Sequence, residues 1–388
     1  MKQKQAIMTI SVLMGLLVSC LSAAQQSRFA PSADLNLKLA GPITRWDEAL
    51  PLGNGMLGGL LWGQDSTLRL SLDRGDLWDL RTPQRFSEPD FTWQEMKKLV
   101  DADDMGTLRQ RFDSFYEVFK YPTKLPGGRL EITLDPTQKI ERFELGLAEA
   151  MGQVHLTNGT QIRGFYCATK PVALFIIPGT QPIGLKLIAP AAVQQLGYPA
   201  AQQGGQAGEV WSVQKSVGKL QYATYAACRQ VNGQTLVALT ITASRDGSDP
   251  LSLARYIVGG VLNQGGDGML SMLRAHQQYW RSFWSASRVR IPDLQHLRHY
   301  YLVQYLYGAA SRPGAPSIPL QGVWTADSDQ LPPWHGDYHH DLNTQMTYDA
   351  YQTAGRFTEG ACFLDHMHRL LPRFRRFAQD FYETPGAA

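Results

Sequence analysis

The sequence has little cysteine and almost no excess of one charge, and each shortage excludes a class of protein. Only 4 of the 388 residues are cysteine. Beyond Cys20 the remaining three are far apart and form no CxxC pair, which argues against a zinc site or disulfide framework and favours buried thiols. Basic and acidic residues number 37 and 34. Nucleic acid is therefore not an expected partner, because no basic stripe neutralises phosphates. The three cysteines are Cys167, Cys228 and Cys362.

The composition indicates a folded protein of more than one domain. Hydrophobic residues make up 44% of the chain and aromatic residues 10%, with 36 glycines and 22 prolines. A chain of 388 residues is long enough for two or three domains at roughly 100 to 200 residues each. The glycine-rich stretch Gly53-Asn54-Gly55 is not followed by Lys or Ser/Thr in P-loop register, so it indicates a β-turn. No cofactor is expected.

The N-terminus is predicted to be an export signal over residues 1–24. Two lysines precede an apolar run over residues 6–18, which is too short to span a bilayer comfortably. The run ends in Leu-Val-Ser-Cys, which resembles a bacterial lipobox whose Cys20 is diacylated. The alternative is ordinary cleavage after Ala24. Both interpretations predict an exported protein, either an outer-membrane lipoprotein or a periplasmic protein.

The stretch 28–263 predicts a large antiparallel β domain. Short β-branched or alternating runs are broken by Gly, Pro, Asn and Asp. Residues 92–120 interrupt this pattern with apolar residues near helical spacing, which predicts a helical insertion, and Gly204-Gly205 predicts an exposed loop. The predicted strands include 67–72, 129–134, 153–156, 161–167, 172–177, 183–189 and 236–243.

The rest of the chain predicts helices. A helical linker is expected over 264–291, followed from 292 to 388 by helices joined by long loops. The first helix begins at Leu294 and ends near residues 308–313. A second is predicted over 342–354 and a third over 358–371, ended by Pro372.

The long loop from about residue 313 to 340 carries the residues best suited to chemistry. It is too aromatic to be disordered, and its two Trp, one Tyr and several His and Asp residues offer flat faces for a sugar ring and partners for its hydroxyls. Asp341 and Asn343 are two positions apart, so in an extended chain both side chains point the same way and can hold one water.

Three alternatives stand beside this interpretation. Trp324 and Trp334 can instead pin the loop by packing, and Asn343 can cap a helix. The His and Asp cluster also offers ligand types for a metal ion, although it lacks the distant ligand that a metal site normally recruits. The cluster consists of His335, Asp337, His339, His340 and Asp341.

Two segments resemble one family. The segment from Asp337 to Tyr348 resembles the active-site motif D-Y-H-x-N-x-N-x-Q-M-N-Y of glycoside hydrolase family 95, the 1,2-α-L-fucosidase-like proteins. Residues 46–58 resemble that family's N-terminal signature W-x-E-A-L-P-x-G-N-G-x-L-G, and residues 71–78 resemble its next stretch more loosely. The similarity spans essentially the whole chain after the signal. The residues that match the active-site motif are Asp337, Tyr338, His339, Asn343, Gln345, Met346 and Tyr348.

The resemblance implies a fold and a function. It implies an N-terminal antiparallel β-sandwich, a helical linker and an (α/α)6 barrel with an inverting glycosidase site. In the family two Asn residues position the attacking water. The second aligns with Asn343, whereas the first aligns with Asp341, whose carboxylate could act directly as the general base. Together with the loop, this gives catalytic candidates Asp341 and Asn343, and substrate-binding candidates Trp324, Trp334, His335, Asp337, Tyr338, His339 and Gln345.

The length of the chain departs from the family. A twelve-helix barrel needs on the order of 200 residues, and the stretch after residue 294 is less than half of that. We therefore expect residues 292–388 to be the first helices of a truncated barrel, with the general acid beyond Ala388. The expected function is an exported α-L-fucosidase-like hydrolase acting on a glycan. The alternatives are a non-catalytic carbohydrate-binding surface lipoprotein, an inactive fragment, or a metal-dependent hydrolase.

Overall fold

The computed structural model describes residues 29–113 and 115–387. The predicted export signal and Cys20 lie outside these residues. Within them, none of the helices is both long enough and apolar enough to cross a bilayer.

Most strands belong to two antiparallel sheets. The larger has nine strands in the order β1-β8-β9-β10-β11-β16-β15-β14-β13. These are β1 (Leu37–Ala40), β8 (Ile140–Gly146), β9 (Met151–Leu156), β10 (Gln161–Tyr166), β11 (Ala173–Pro178), β16 (Gln234–Ala243), β15 (Gln221–Val231), β14 (Glu209–Lys215) and β13 (Gln202–Gln206).

The second sheet has five strands in the order β12-β7-β4-β3-β2, and a separate two-stranded ribbon pairs β5 with β6. The five strands are β12 (Gly184–Ile188), β7 (Gly128–Thr133), β4 (Thr67–Arg74), β3 (Leu57–Gln64) and β2 (Leu50–Gly53). The ribbon consists of β5 (Trp78–Asp79) and β6 (Thr123–Lys124).

The two sheets form a sandwich with a shared apolar core. Strand β16 shows why, since its side chains alternate between two buried faces. Val237, Leu239 and Ile241 join the core shared with the five-stranded sheet, while Leu236 and Ala238 join a second core under the helices. The antiparallel sheet-rich fold class predicted for the N-terminal part is therefore confirmed.

The helices lie between β5 and β6 and after β16. A π-helical turn over Arg109–Asp113 continues the helical region between the ribbon strands, within the span where an insertion was predicted. The helices are α1 (Trp93–Asp101), α2 (Met105–Leu108), α3 (Phe115–Val118), α4 (Pro250–Leu262), α5 (Gly265–Ser285), α6 (Leu294–Ala310), α7 (Asn343–Thr353) and α8 (Phe357–Tyr382). Short 3-10 turns cover Ala33–Leu35, Trp46–Glu48, Gln84–Ser87, Ala191–Leu196 and Pro333–Gly336.

Helix α5 joins the β-sandwich to the helical part. Its Met272 packs in the core between the nine-stranded sheet and α4, whereas Trp280 and Trp284 reach the sandwich core. The Trp284 Nε1–H donates to the Leu147 carbonyl over 3.1 Å, and Trp280 stacks on Tyr305 of α6 with ring centroids 5.4 Å apart. The aromatic end of α5 thus packs α6 against the sandwich.

The prediction that Pro372 ends a helix is wrong. Helix α8 continues ten residues beyond it to Tyr382. Proline removes one backbone donor, but packing beyond it offsets that loss. Phe381 contacts Phe91 and Phe112 of the segment around α1, with ring centroids 5.4 and 6.4 Å apart.

The predicted exposed loop at Gly204-Gly205 is an edge strand. Gly204 pairs with Trp211 of β14, and a Cβ on Gly204 would lie 2.4 Å from the indole. The ring can cover this strand only because glycine leaves the space empty. Helix α4 was not predicted, although Asp249 before Pro250 is a start signal, and Asp249 accepts the Ser252 N–H over 3.1 Å.

The three cysteines are free thiols. Cys167 and Cys362 are buried and Cys228 is half-buried, in line with the interpretation of the sequence.

Candidate functional site

The long loop between α6 and α7 is held against the five-stranded sheet by buried polar contacts. Thr325 Oγ1 donates to Asp73 over 2.6 Å, and Asp73 also pairs with the fully buried Lys124. Two residues further along the loop, Asp327 accepts from Ser71 over 2.7 Å and pairs with Arg129 over 3.1 Å. Two carboxylates, one in the sheet and one in the loop, therefore fix the middle of the loop.

A cavity of about 490 Å³ lies where this loop meets α6 and α7. It brings together three of the predicted site residues, Trp324, His339 and Asn343. Its walls are mainly apolar with a few polar groups, the usual make-up of a small-molecule site. The remaining lining residues are Leu306, Tyr307, Ala310, Ile318, Pro319, Leu320, Gln321, Gly322, Leu342, Thr344, Met346 and Thr347.

Trp324 forms one wall and also anchors the loop. Its Nε1–H donates to the Leu52 carbonyl in β2 over 2.9 Å, and its ring packs against the sandwich core. The packing alternative considered from the sequence thus describes this residue, although one part of the ring still faces the cavity.

His339 is oriented by Asp337. The His339 Nε2 lies 2.9 Å from Asp337 Oδ1, and the His339 carbonyl accepts the Thr344 N–H over 3.0 Å. The imidazole is therefore tied to a carboxylate on one side and its backbone to the first turn of α7 on the other.

Asp341 and Asn343 do not continue an extended chain. Leu342 between them has φ −154° and ψ −62°, and Asn343 is the first residue of α7. Both side chains are exposed, but only Asn343 lines the cavity. The N-cap position of α7 is Leu342, whose side chain makes no capping hydrogen bond, so Asn343 is not at the cap position. Gln345 turns away from the cavity and donates to the His340 carbonyl.

Tyr338 lies in an aromatic stack outside the cavity. Its ring lies 5.6 Å from that of Trp78 and 5.5 Å from that of His340, close to parallel with both. Its hydroxyl donates to the Ser317 carbonyl over 3.0 Å. Burial raises the pKa of Tyr338 to about 12, so at neutral pH the hydroxyl is a neutral donor that holds the loop.

His340 continues this stack onto α8. Its ring centroid lies 5.7 Å from that of His366. Burial lowers the pKa of both rings, and burial together with the neighbouring His340 takes the pKa of His366 to about 4. Two neutral imidazoles can therefore pack side by side at neutral pH.

Trp334 and His335 form the outer corner of the loop. Trp334 is 60% exposed, and both residues have left-handed backbone angles. His335 Nδ1 lies 2.8 Å from the Pro122 carbonyl. Within residues 29–113 and 115–387, no three His, Cys, Asp or Glu side chains converge as metal ligands.

One polar group in the cavity wall, the Gln321 amide, was not predicted from the sequence. Gln321 Oε1 is buried and lacks a hydrogen-bond partner among the described residues, and its side chain lines the cavity. A buried, unpaired acceptor is costly unless a ligand satisfies it. Gln321 lies three residues before Trp324 in the same loop, and this position is the sequence feature that could have indicated a role in the site.

Two family models match this chain. Residues 37–247 match the glycosyl hydrolase family 65 N-terminal domain, and residues 280–388 match the glycosyl hydrolase family 95 catalytic domain.

Curated relatives and a solved structure are also similar. Alpha-L-fucosidase 2 from Arabidopsis thaliana is 22% identical over 92% of this chain and 51% of its own length. Probable alpha-fucosidase A from Aspergillus niger is 42% identical over 13% of this chain and 6% of its own length. The chain thus spans about half the length of the Arabidopsis relative. A putative kojibiose phosphorylase from the human microbiome has a TM-score of 0.45 and 11% identity, covering 76% of this chain and 42% of that chain.

Proposed function

Since this chain belongs to the glycosyl hydrolase family 95-like proteins and carries a family 65-type N-terminal domain, we propose that the whole protein hydrolyses a terminal α-L-fucoside of a glycan. The observation that carries the proposal is the cavity beside α7, where Trp324, His339 and Asn343 meet within the family 95 match. An aromatic face and convergent hydrogen-bonding groups suit a single sugar ring.

The proposed chemistry is inversion. A carboxylic acid protonates the leaving oxygen while a base-activated water attacks the opposite face of the sugar. Asn343 on the cavity wall would hold that water, and Asp341, exposed two residues before α7 begins, would take its proton. The N-terminus of a helix favours a nearby negative charge, which suits a carboxylate at this position. We assign the general acid to none of the residues described, and the barrel that would complete the site remains a prediction.

Substitution of the two candidate residues tests the proposal on the whole protein. Asp341→Ala should lower kcat on an aryl α-L-fucoside by about 10²- to 10⁴-fold, the usual contribution of a positioned base, and Asn343→Ala should also lower kcat because the attacking water is no longer positioned. The matched control is Asp349→Ala, since Asp349 is an exposed carboxylate on the same helix that does not line the cavity. NMR of the first-formed sugar anomer reports inversion.

The outcomes of this test are distinct. Wild-type rates in both variants would contradict the assignment of the site, and loss of activity on addition of EDTA would favour a metal-dependent hydrolase instead.

The second candidate function is carbohydrate binding without hydrolysis. The observation that favours it is that Asp341 does not line the cavity, whereas Trp324 and Asn343 do. Titration calorimetry with fucosylated oligosaccharides separates the two functions, since a binding protein gives saturable heat with no product from the wild type.

We also propose that the protein is exported and anchored to a bacterial outer membrane through diacylated Cys20. The support is the lipobox-like ending of the apolar run at residues 17–20. Cells fed radiolabelled palmitate should label the wild type and Cys228→Ser, which keeps Cys20, but not Cys20→Ala. An unlabelled wild type would contradict the anchor and leave cleavage after Ala24 as the explanation of the signal, and equal label in Cys20→Ala would contradict Cys20 as the lipidated residue.

A further inference from the structure

The backbone at Trp334 and His335 adopts a conformation that side chains disfavour. Trp334 has φ 46° and ψ 34°, and His335 has φ 56° and ψ 11°. Consecutive left-handed residues that carry a Cβ are rare, because the Cβ crowds the following carbonyl oxygen. Such a corner persists only where its surroundings hold it in place.

The β5–β6 ribbon supplies the contacts that hold this corner. A carbonyl can only accept, so His335 Nδ1–H donates to the Pro122 carbonyl, over 2.8 Å. In return the Thr123 Oγ1 lies 3.3 Å from the His335 carbonyl oxygen and 3.3 Å from the Lys124 carbonyl oxygen, so its one hydroxyl proton is shared between the loop and the ribbon. Thr123 is completely buried, so this hydroxyl meets the loop in a dry environment.

Gly336 and Tyr338, which follow the corner, contact the same ribbon. A Cβ on Gly336, which has φ 61°, would lie 2.9 Å from the Lys124 Cβ. Lys124 is itself fixed by its ion pair with Asp73 and by donating to the Arg74 carbonyl over 2.8 Å. Next, Tyr338 stacks on Trp78 of β5. Contacts with the ribbon therefore hold the chain in place at His335, Gly336 and Tyr338.

The indole of Trp334 is mostly exposed, so its own burial does not explain this arrangement. It is 60% exposed, while the residues around it are fixed. An aromatic face that is exposed on a rigid backbone costs little conformational entropy when a ligand stacks on it.

We propose that the β5–β6 ribbon, acting through the Thr123 hydroxyl, positions Trp334 as a stacking face for the glycan. Thr123 is then a positioning residue that never touches the sugar. The inference rests on the proposed function, because the glycan is the ligand that would stack on Trp334.

A double-mutant cycle on the whole protein tests the inference. Thr123→Val removes only the hydroxyl, and loss of one hydrogen bond of this kind should raise KM for a fucosyl oligosaccharide by about 2- to 10-fold with little change in kcat. Trp334→Ala should raise KM further. Adding Thr123→Val to Trp334→Ala should then change nothing, because Thr123 acts through the indole.

Two variants control for structural damage. Thr123→Ser keeps a hydroxyl and should restore KM. Thr242→Val removes an equally buried hydroxyl that donates to the Pro250 carbonyl away from the loop, and it should leave KM unchanged. Additive effects of Thr123→Val and Trp334→Ala, or an equal rise in KM from Thr242→Val, would overturn the inference.

A readout without substrate separates this inference from the proposed function. Iodide quenches the fluorescence of exposed tryptophans. The part of this quenching that is lost in Trp334→Phe measures the exposure of the Trp334 indole. Thr123→Val should change this component and Thr242→Val should not. If the wild type neither binds nor hydrolyses any fucoside, the proposed function fails, while a changed quenching still supports positioning of Trp334 by the ribbon. Unchanged quenching contradicts that positioning.

Discussion

His276 on α5 shows how one buried side chain makes stability depend on pH. Its Nδ1 accepts the Ala168 N–H over 3.2 Å, and its Nε2–H donates to the Glu149 carbonyl over 2.8 Å. Only a neutral imidazole can accept at one nitrogen and donate at the other. The ring is fully buried against Phe165, and burial lowers its pKa from the ordinary 6.5 to about 4.

The sign of the effect follows from this lowered pKa. Between pH 6.5 and 4 the unfolded chain binds the proton and the folded chain does not, so stability is full above pH 6.5 and falls as the pH drops to 4. A shift of this size corresponds to about 3 kcal/mol. We expect the free energy of unfolding, measured by urea titration, to lose much of this pH dependence in His276→Gln, whose amide keeps one acceptor and one donor.

An exposed histidine is the matched control for the buried His276. His296 on α6 is such a control, because its side chain is 78% exposed. His296→Gln should retain the wild-type slope between pH 4 and 6.5. His366 keeps its own contribution in every variant, so a residual slope is expected. An undiminished slope in His276→Gln would show that its two hydrogen bonds do not require the neutral ring.

At the scale of elements, alternation of apolar residues made the strands predictable. The stretch 236–243 was predicted as a strand, and β16 covers Gln234–Ala243. Local sequence signals gave the wrong structure where a contact with a distant residue determines the conformation. Pro372 lies within α8 because Phe381 packs on Phe91, and Gly204 lies in a strand because Trp211 covers it. Neither contact can be read from neighbouring residues.

The candidate site shows the same limit. The resemblance pointed to the loop between α6 and α7, and Trp324, His339 and Asn343 line one cavity at that loop. The sequence could not separate the roles of Trp324 and Trp334. Trp324 is anchored by the Leu52 carbonyl in the five-stranded sheet, a partner far away in the sequence. The sequence also could not place Asp341, since the direction of that side chain depends on the turn at Leu342.

At the scale of the whole molecule, the sandwich and the helical part share a close backbone interface. The Gly55 N–H donates to the Ala309 carbonyl over 2.7 Å, and the Tyr305 hydroxyl donates to the Pro51 carbonyl over 2.8 Å. Arg312 crosses the interface to the Ala168 carbonyl over 2.6 Å. One of these contacts joins two backbone groups and the other two join a side chain to a backbone carbonyl, so the two parts should unfold together.

Gly58 is the point where this interface tolerates no side chain. A Cβ at Gly58 would lie 2.1 Å from the Val323 carbonyl oxygen, and a backbone atom cannot rotate away as a side chain can. Gly58→Ala should therefore lower the free energy of unfolding by about 1–3 kcal/mol, the usual cost of overpacking. It should also make the loop between α6 and α7 more sensitive to limited proteolysis, because Val323 and Trp324 must move off the sheet.

The matched control is a Gly→Ala substitution at a glycine whose added Cβ would contact no other atom. Gly260 lies in α4 and has nothing within 4 Å of the position that a Cβ would take. Gly260→Ala should raise the free energy of unfolding by about 0.5–1 kcal/mol, since alanine loses less backbone entropy in a helix than glycine does. If Gly58→Ala were as stable as the wild type and its loop equally protected, the sandwich and the helical part would have to be joined more loosely than these distances indicate.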